Sequence, residues 1–241
     1  MAQVGWPQSL WFVRHGESFG NVANEAARRA QALRLDIEVN DANVELTEIG
    51  AEQAVAFGKW LGDQPLDRLP TQVAVSPYVR TRETARLIVQ TSGLENLPLT
   101  VDERIRDREQ GVLDRLTGAG LRSQFPDEAA RRDYVGKFWY RPSGGESWAD
   151  VATRMRAWLL EMRLAMTDER VLVVTHDVPI LLARYILENL TPEESTSYSG
   201  QLRNCSLTSF RARPDATGMQ LEAFNDTTAV VTDDAPVTAH E

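Results

Sequence analysis

Two histidines and two arginines of this chain each follow a short apolar run. They are Arg14 and His15 after residues 10–13, Arg80 shortly after residues 72–75, and His176 after residues 170–175. A short apolar run that ends in a polar turn is typical of a buried strand, and its C-terminal end carries the polar side chains. In open α/β sheets that end of the strands is where ligands bind. We therefore expect these four side chains to meet at one edge of a sheet.

An imidazole among guanidinium groups is suited to attack on phosphorus. A neutral His15 can attack in line and form a phosphohistidine, which water then hydrolyses. Arg14, Arg80 and His176 would hold the equatorial oxygens and place positive charge where negative charge accumulates. Positioning and charge neutralisation are most of what phosphoryl transfer requires of a protein. We expect no metal ion and no cofactor, because the arginines would supply the neutralisation that Mg²⁺ provides in kinases.

The same residues lie in motifs that resemble those of the histidine phosphatase superfamily, the phosphoglycerate-mutase-like group. The matching motifs are, in chain order, residues 14–18 (RHGES), Asn21, residues 76–85 around Arg80, and residues 174–176. Two further stretches, 104–111 and 138–148, are similar to the small-molecule phosphatases of that group. The resemblance spans about residues 9–212 and implies phosphoryl chemistry on a phosphate monoester.

The order of apolar runs and helical patterns predicts an α/β fold. We expect a three-layer sandwich with a mostly parallel central sheet flanked by helices. One catalytic domain would cover residues 1–226, with a long lid-like insertion at 112–145, and residues 227–241 would form a flexible tail. The basic and aromatic residues of the insertion predict either a lid that grips an anionic or aromatic substrate, or helices that pack on the body.

A carboxyl group must protonate the leaving oxygen, and two acidic residues are candidates for this role. The family resemblance implies a Glu four residues before a Gly, and counting back from Gly111 gives Asp107. Asp is one methylene shorter than Glu, so its carboxyl would fall about 1 Å short of the usual position. Glu109 is the alternative acid. Ser18 and Asn21 either donate hydrogen bonds to the phosphate or cap a helix.

Composition narrows the class of protein. The net charge of −9 argues against nucleic-acid binding, and the one cysteine excludes an internal disulfide and a multi-cysteine zinc site. The first ten residues show no signal-peptide pattern and no apolar run reaches membrane-spanning length, so we expect a cytoplasmic protein. Arginines grouped in an acidic chain would attract a small anionic phosphorylated substrate.

These features predict a metal-independent phosphatase that hydrolyses small phosphate monoesters through a phosphohistidine intermediate. A phosphoglycerate-type mutase is one alternative. Family mutases carry a Trp-Asn pair where this chain has Gly20-Asn21, and a Gly-Trp-x-Asp element where it has residues 40–43 (NDAN). A catalytically silent phosphate-binding module is the other alternative. Asp107 in place of Glu favours it, but a binding module needs no nucleophile.

Overall fold

In the residues that the computed structural model describes (5–166, 168–215 and 217–239), helices cover both faces of a six-stranded sheet. The strands are β1 (Ser9–Arg14), β2 (Gln72–Val75), β3 (Leu99–Val101), β4 (Arg170–Thr175), β5 (Leu207–Ala212) and β6 (Met219–Asp226). Their order across the sheet is β3-β2-β4-β1-β5-β6. The pairs among β1 to β4 are parallel, whereas β5 and β6 form an antiparallel hairpin beside β1. The predicted α/β fold with a mostly parallel sheet is confirmed.

The helices alternate with the strands along most of the chain. They are α1 (Phe19–Arg29), α2 (Glu48–Gly62), α3 (Val79–Thr91), α4 (Gly118–Gln124), α5 (Pro126–Val135), α6 (Trp148–Ala165), α7 (Asp177–Leu187), α8 (Pro192–Ser197) and α9 (Thr228–Val231). Short 3₁₀ turns occupy Asp41–Asn43, Glu103–Ile105 and Gly111–Leu113. No helix in the described part of the chain has both the length and the apolar character needed to cross a membrane.

Strand β1 lies inside the sheet and contributes to the core on both faces, because successive side chains of a strand point to opposite sides. Leu10 and Phe12 pack in one buried cluster with residues of α6 and α7. Trp11 and Val13 pack in a second cluster with residues of α2 and α3. Burial on both faces explains the uninterrupted apolar run before the polar tip. It also fixes where Arg14, the last residue of β1, is placed.

The insertion at 112–145 is largely helical. It contains α4 and α5, and its own small cluster of buried side chains comprises Leu113, Leu121, Ala129 and Tyr140. Helix α5 begins with Pro126, a residue favoured in the first turn because it has no amide hydrogen to leave unpaired. Whether this segment moves as a lid stays a prediction.

The sequence after residue 226 shows no pattern, yet the described residues there contain α9. Ala229 and Val230 are buried in the same cluster as residues of α2. The Nε2 of Gln53 donates hydrogen bonds to the carbonyl oxygen of Pro236 at 2.7 Å and to Oγ1 of Thr238 at 2.8 Å. These contacts hold residues 227–239 on the body, and residues 240 and 241 of the predicted tail lie outside the described residues.

Candidate active site

The C-terminal ends of β1, β2 and β4 lie at one edge of the sheet. In the parallel register Arg14 pairs with Thr175, and Val75 pairs with Val174. The backbone N–H of His15 continues the ladder by donating to the carbonyl oxygen of Thr175 at 3.0 Å. Each strand therefore delivers its following residues to the same place, as the sequence predicted.

The turn after His15 requires a glycine. A Cβ on Gly16 would lie 2.3 Å from the backbone oxygen of Gly50 in α2, which is too close for any side chain. The N–H of Gly16 also donates to Oγ1 of Thr84 in α3 at 3.1 Å. The turn is thus held between α2 and α3, and this fixes the backbone from which the imidazole of His15 extends.

His15 is buried, and its surroundings keep the imidazole neutral with one unprotonated nitrogen. Its Nδ1 lies 2.7 Å from the carbonyl oxygen of Gly16. Because a carbonyl oxygen only accepts, Nδ1 carries the hydrogen and Nε2 carries the lone pair. Burial lowers the pKa of His15 well below its usual range, and the charges of Arg80 and Arg14 lower it further. The unprotonated Nε2 is the form that can attack phosphorus.

Arg80 lies in the first turn of α3, and three groups hold its guanidinium. Its Nε donates to Nε2 of His15 at 3.2 Å. Its Nη1 lies 3.0 Å from Oδ1 of Asp41, and its Nη2 lies 3.3 Å from Oδ2 of Asp107. The guanidinium also stacks on the ring of Tyr78, 4.9 Å from the centroid. The sequence analysis did not identify Asp41 as a site residue. The available signal was its position in the 40–43 stretch, which differs from the family mutases.

Arg14 is buried beside the imidazoles. Its Nη1 donates to the carbonyl oxygen of Leu202, and its Nε has no hydrogen-bond partner among the described residues. Burial lowers the pKa of Arg14, and the charge of Arg80 adds to this effect. A buried cationic N–H without a partner favours binding of an anion, because leaving such a group unpaired is costly.

His176 is fully buried at the start of α7, and its ring centroid lies 5.2 Å from that of His15. Its Nε2 is 2.8 Å from Oγ of Ser76, and its Nδ1 is 3.5 Å from Oδ2 of Asp107. Burial, together with the charges of Arg80, His15 and Arg14, lowers the pKa of His176 well below its usual range. The structure thus brings together all four residues that the strand ends predicted.

The two candidate acids are placed differently. Asp107 lines the same cavity as His15 and contacts Arg80 and His176. Burial raises the pKa of Asp107 to about 6, the charges of Asp177 and Asp41 raise it as well, and Arg80 opposes them. The side chain of Glu109 is exposed, and its Oε1 accepts from the N–H of Gly111 at 3.3 Å. Glu109 is not among the residues that line the cavity.

Ser18 and Asn21 line the cavity but also cap α1. The N–H of Asn21 donates to Oγ of Ser18 at 3.3 Å, and the N–H of Ser18 donates to Oδ1 of Asn21 at 3.1 Å. This reciprocal pair is a capping box. The Nδ2 of Asn204 contacts both the carbonyl oxygen of His15, at 3.0 Å, and Oδ1 of Asn21, at 3.4 Å. The capping role is therefore established by geometry, and a role in phosphate binding stays a prediction.

The site lies in a cavity of about 340 Å³. One group of lining residues is apolar and comprises Leu35, Ile37, Val39 and Val44. A second group is cationic and comprises Arg108, Arg115 and Lys137 in addition to Arg14 and Arg80. Within the described residues, no cluster of three or more His, Cys, Asp or Glu side chains is arranged to hold a metal ion.

Known proteins are similar to this chain in sequence and in fold. The family described as histidine phosphatase superfamily (branch 1) matches residues 10–227. A 2,3-bisphosphoglycerate-dependent phosphoglycerate mutase of Rhizobium meliloti is 28% identical over 192 residues, which cover 77% of this chain and 82% of the relative. A mycobacterial glucosyl-3-phosphoglycerate phosphatase is 26% identical with a TM-score of 0.68, covering 91% of this chain and 99% of that one.

A third protein, YhfR of Bacillus stearothermophilus, superimposes with a TM-score of 0.74 at 22% identity, with 92% of this chain and 98% of that one covered. At this identity the likeness concerns the fold. The family match over nearly the whole chain is the stronger finding, and its bounds enclose both histidines and both arginines of the site. The chain belongs to the histidine phosphatase superfamily.

Proposed function

We propose that this chain is a metal-independent phosphatase that hydrolyses small phosphate monoesters through a phosphohistidine on His15. One observation carries the proposal. The Nε2 of His15 is unprotonated, lies 3.2 Å from Nε of Arg80, and shares a cavity with a carboxyl group, Asp107, whose pKa is raised to about 6. A nucleophile, a cationic clamp and a proton donor are what the reaction requires.

In the first step the lone pair on Nε2 of His15 attacks phosphorus, and the bond from phosphorus to the ester oxygen breaks. The protonated carboxyl of Asp107 gives its proton to that oxygen, so the product leaves as a neutral alcohol. In the second step the Asp107 carboxylate takes a proton from water as the water oxygen attacks phosphorus. The P–N bond breaks, His15 recovers its lone pair, and inorganic phosphate is released. A pKa of about 6 suits both steps, because the group exchanges its proton readily near neutral pH.

The remaining side chains would bind the phosphoryl oxygens. Arg14 and Arg80 carry permanent charge, and His176 is buried within 5.2 Å of the nucleophilic ring. Such donors stabilise the transition state because they are already aimed at the developing charge and need no reorganisation. The loss of one donor of this kind costs about 3–4 kcal/mol in comparable sites.

Relatives of this chain carry the names of both mutases and phosphatases, so a mutase is the alternative. The chain lacks the Gly-Trp-x-Asp element of family mutases at residues 40–43. That stretch instead forms a 3₁₀ turn whose Asp41 pairs with Arg80 at 3.0 Å. These departures support hydrolysis over transfer within a phosphoglycerate.

The test is hydrolysis of 4-nitrophenyl phosphate in excess EDTA by the native chain and by His15→Ala. We expect metal-independent turnover in the native chain and none in the variant. A rapid quench in alkaline SDS with ³²P-labelled substrate should trap an alkali-stable, acid-labile label on the native chain alone. Turnover that survives in His15→Ala would overturn the assigned nucleophile. Isomerisation of 3-phosphoglycerate without net release of phosphate would favour the mutase, and the absence of both turnover and label would favour a silent binding module.

A further inference from the structure

Besides Arg14, two cations of the cavity make their direct contacts only with neutral groups. The Nζ of Lys137 donates to Oγ of Ser199 at 2.6 Å and lies 5.5 Å from the ring centroid of Trp148. The Nη2 of Arg108 donates to Oε1 of Gln110 at 2.5 Å. Neither forms an ion pair with any residue that the structure describes. Both line the cavity that contains His15, so both charges face the space a substrate would fill.

The other cavity cations have different surroundings. Arg80 is bound by two carboxylates. Arg115 lies 3.6 Å from a carboxylate oxygen of Asp114, and its Nη1 donates to the carbonyl oxygen of Ile37 at 3.1 Å. These arginines are already held by the protein. Arg108 and Lys137 differ from them because no carboxylate of the described residues forms an ion pair with either; the charge of Asp177 acts on both, and that of Asp107 on Arg108, without such a contact.

A third cation, Arg132, repels both Arg108 and Lys137, and this repulsion raises the free energy of the protein without a bound anion. Desolvation lowers the pKa of Lys137 and the charge of Asp177 opposes this, while the charges of Arg132 and Arg108 lower the pKa further. Desolvation and the charge of Arg132 likewise lower the pKa of Arg108, and the charges of Asp107 and Asp177 oppose them. Like charges held close together repel one another, so an arriving anion would relieve the repulsion as well as bind.

The position of Arg108 along the chain indicates which part of the substrate it would meet. Its own N–H donates to Oδ1 of Asp107 at 2.8 Å, so the two side chains start from adjacent backbone. In the proposed reaction Asp107 gives its proton to the leaving oxygen. The alcohol part of the substrate must then lie beside Asp107, and Arg108, the next residue in the chain, lines the same cavity.

We propose that Arg108 and Lys137 form a second anion subsite, and that the preferred substrates are small phosphate monoesters whose alcohol part carries a carboxylate or a second phosphate. The inference rests on the proposed phosphatase activity and adds the substrate class to it. A cavity of about 340 Å³ admits a small metabolite and not a folded macromolecule. Both types of substrate carry a second anion, and the experiment distinguishes a carboxylate from a second phosphate.

The experiment compares three matched probe series by the release of inorganic phosphate. The first is ω-carboxyalkyl phosphates with two to five methylenes. The second is the alkyl phosphates of equal length that end in methyl, and the third is the α,ω-alkanediol bisphosphates. The readout is the ratio of kcat/KM between an anionic probe and its neutral partner. Any loss of folded enzyme cancels in this ratio.

We expect at least one anionic series to exceed the neutral series by about ten-fold or more, the factor expected for one charge-assisted hydrogen bond. Arg108→Gln and Lys137→Gln should each reduce that ratio by about ten-fold. Lys137→Arg should keep most of it. The matched control is Arg131→Gln, which removes one positive charge from an exposed position of α5 outside the cavity and should leave the ratio unchanged.

The outcomes separate this inference from the proposed function. His15-dependent hydrolysis of every series with no preference for an anionic probe would overturn the subsite alone. A preference that both glutamine variants retain would overturn it equally. If neither these probes nor 4-nitrophenyl phosphate is hydrolysed through His15, the phosphatase proposal falls, and the substrate class falls with it.

Discussion

The Nε of Arg80 donates a hydrogen bond of 3.2 Å to Nε2 of His15. This contact aims a permanent positive charge at the nitrogen that bears the lone pair. It opposes protonation of the imidazole, and it places a donor next to the point where a phosphoryl group would bind. In the proposed reaction this hydrogen bond would be released when a phosphoryl group binds, so that the lone pair of Nε2 becomes free to attack and the Nε–H of Arg80 can turn to a phosphoryl oxygen.

Arg80→Gln should reduce kcat for 4-nitrophenyl phosphate by about 10²- to 10³-fold, because it removes a preorganised donor from the developing charge. It should also raise the pKa of His15, since the guanidinium charge no longer opposes protonation. Steady-state kinetics and ¹⁵N NMR titration of the imidazole measure the two effects. The control is Arg82→Gln, at an exposed position of the same helix. Equal rates in the native chain and Arg80→Gln would contradict the assignment.

Asp107→Asn should slow hydrolysis of an alkyl phosphate by about 10²- to 10⁴-fold, because the leaving alkoxide loses its proton donor. The loss should be much smaller for 4-nitrophenyl phosphate, whose leaving group is stable as an anion. Asp107→Glu should retain much of the activity, since it keeps the carboxyl. Glu109→Gln is the matched control, because Glu109 is exposed and does not line the cavity. The reverse pattern, with the large loss in Glu109→Gln, would make Glu109 the acid.

The rate constant kcat/KM for alkyl phosphates should decline as pH rises through about 6, because Asp107 must be protonated to act as acid and burial raises its pKa to about 6. The decline should be absent with 4-nitrophenyl phosphate. A pH profile of kcat/KM for both substrates measures the difference. A profile that is flat between pH 5 and pH 8 for the alkyl substrate would be inconsistent with this role.

The raised pKa of Asp107 also has a consequence for stability. The folded state holds this proton up to about pH 6, whereas the unfolded chain releases it near 3.8. The free energy of unfolding contributed by this group is therefore present below pH 3.8 and is lost as pH rises to about 6. Asp107→Asn removes the effect. The Tm of the variant minus the Tm of the native chain should therefore be larger at pH 7.5 than at pH 4. A constant difference in Tm between these pH values would contradict the shift.

Asp41→Asn should strengthen inhibition by inorganic phosphate or vanadate several-fold. Its carboxylate lies 3.0 Å from Nη1 of Arg80 and competes with an anion for that guanidinium. The backbone oxygen of Asp41, which accepts from Nη1 at 2.5 Å, remains in the variant and keeps Arg80 in place. Inhibition constants measure the effect, with Asp36→Asn as an exposed control outside the cavity. Weaker inhibition in Asp41→Asn would mean that Asp41 chiefly positions Arg80.

The sequence by itself determined the strands that carry the chemistry. Runs such as 10–13 and 170–175 are apolar throughout because both faces of a central strand are buried, and that pattern is local. Parallel strands end at the same edge, so the convergence of His15 and His176 followed from two such runs.

Only the tertiary structure placed Asp107 in the cavity lining and Glu109 outside it. Both lie in one charged stretch, and local sequence does not determine which carboxyl enters a cavity built by distant strands. The pairing of Asp41 with Arg80 joins residues 39 positions apart, and the bond from Gln53 to Thr238 joins residues 185 positions apart. Contacts of this kind depend on how helices and loops pack after the sheet forms. Periodicity and turn signals report burial and local geometry, so they carry no record of such long-range pairs.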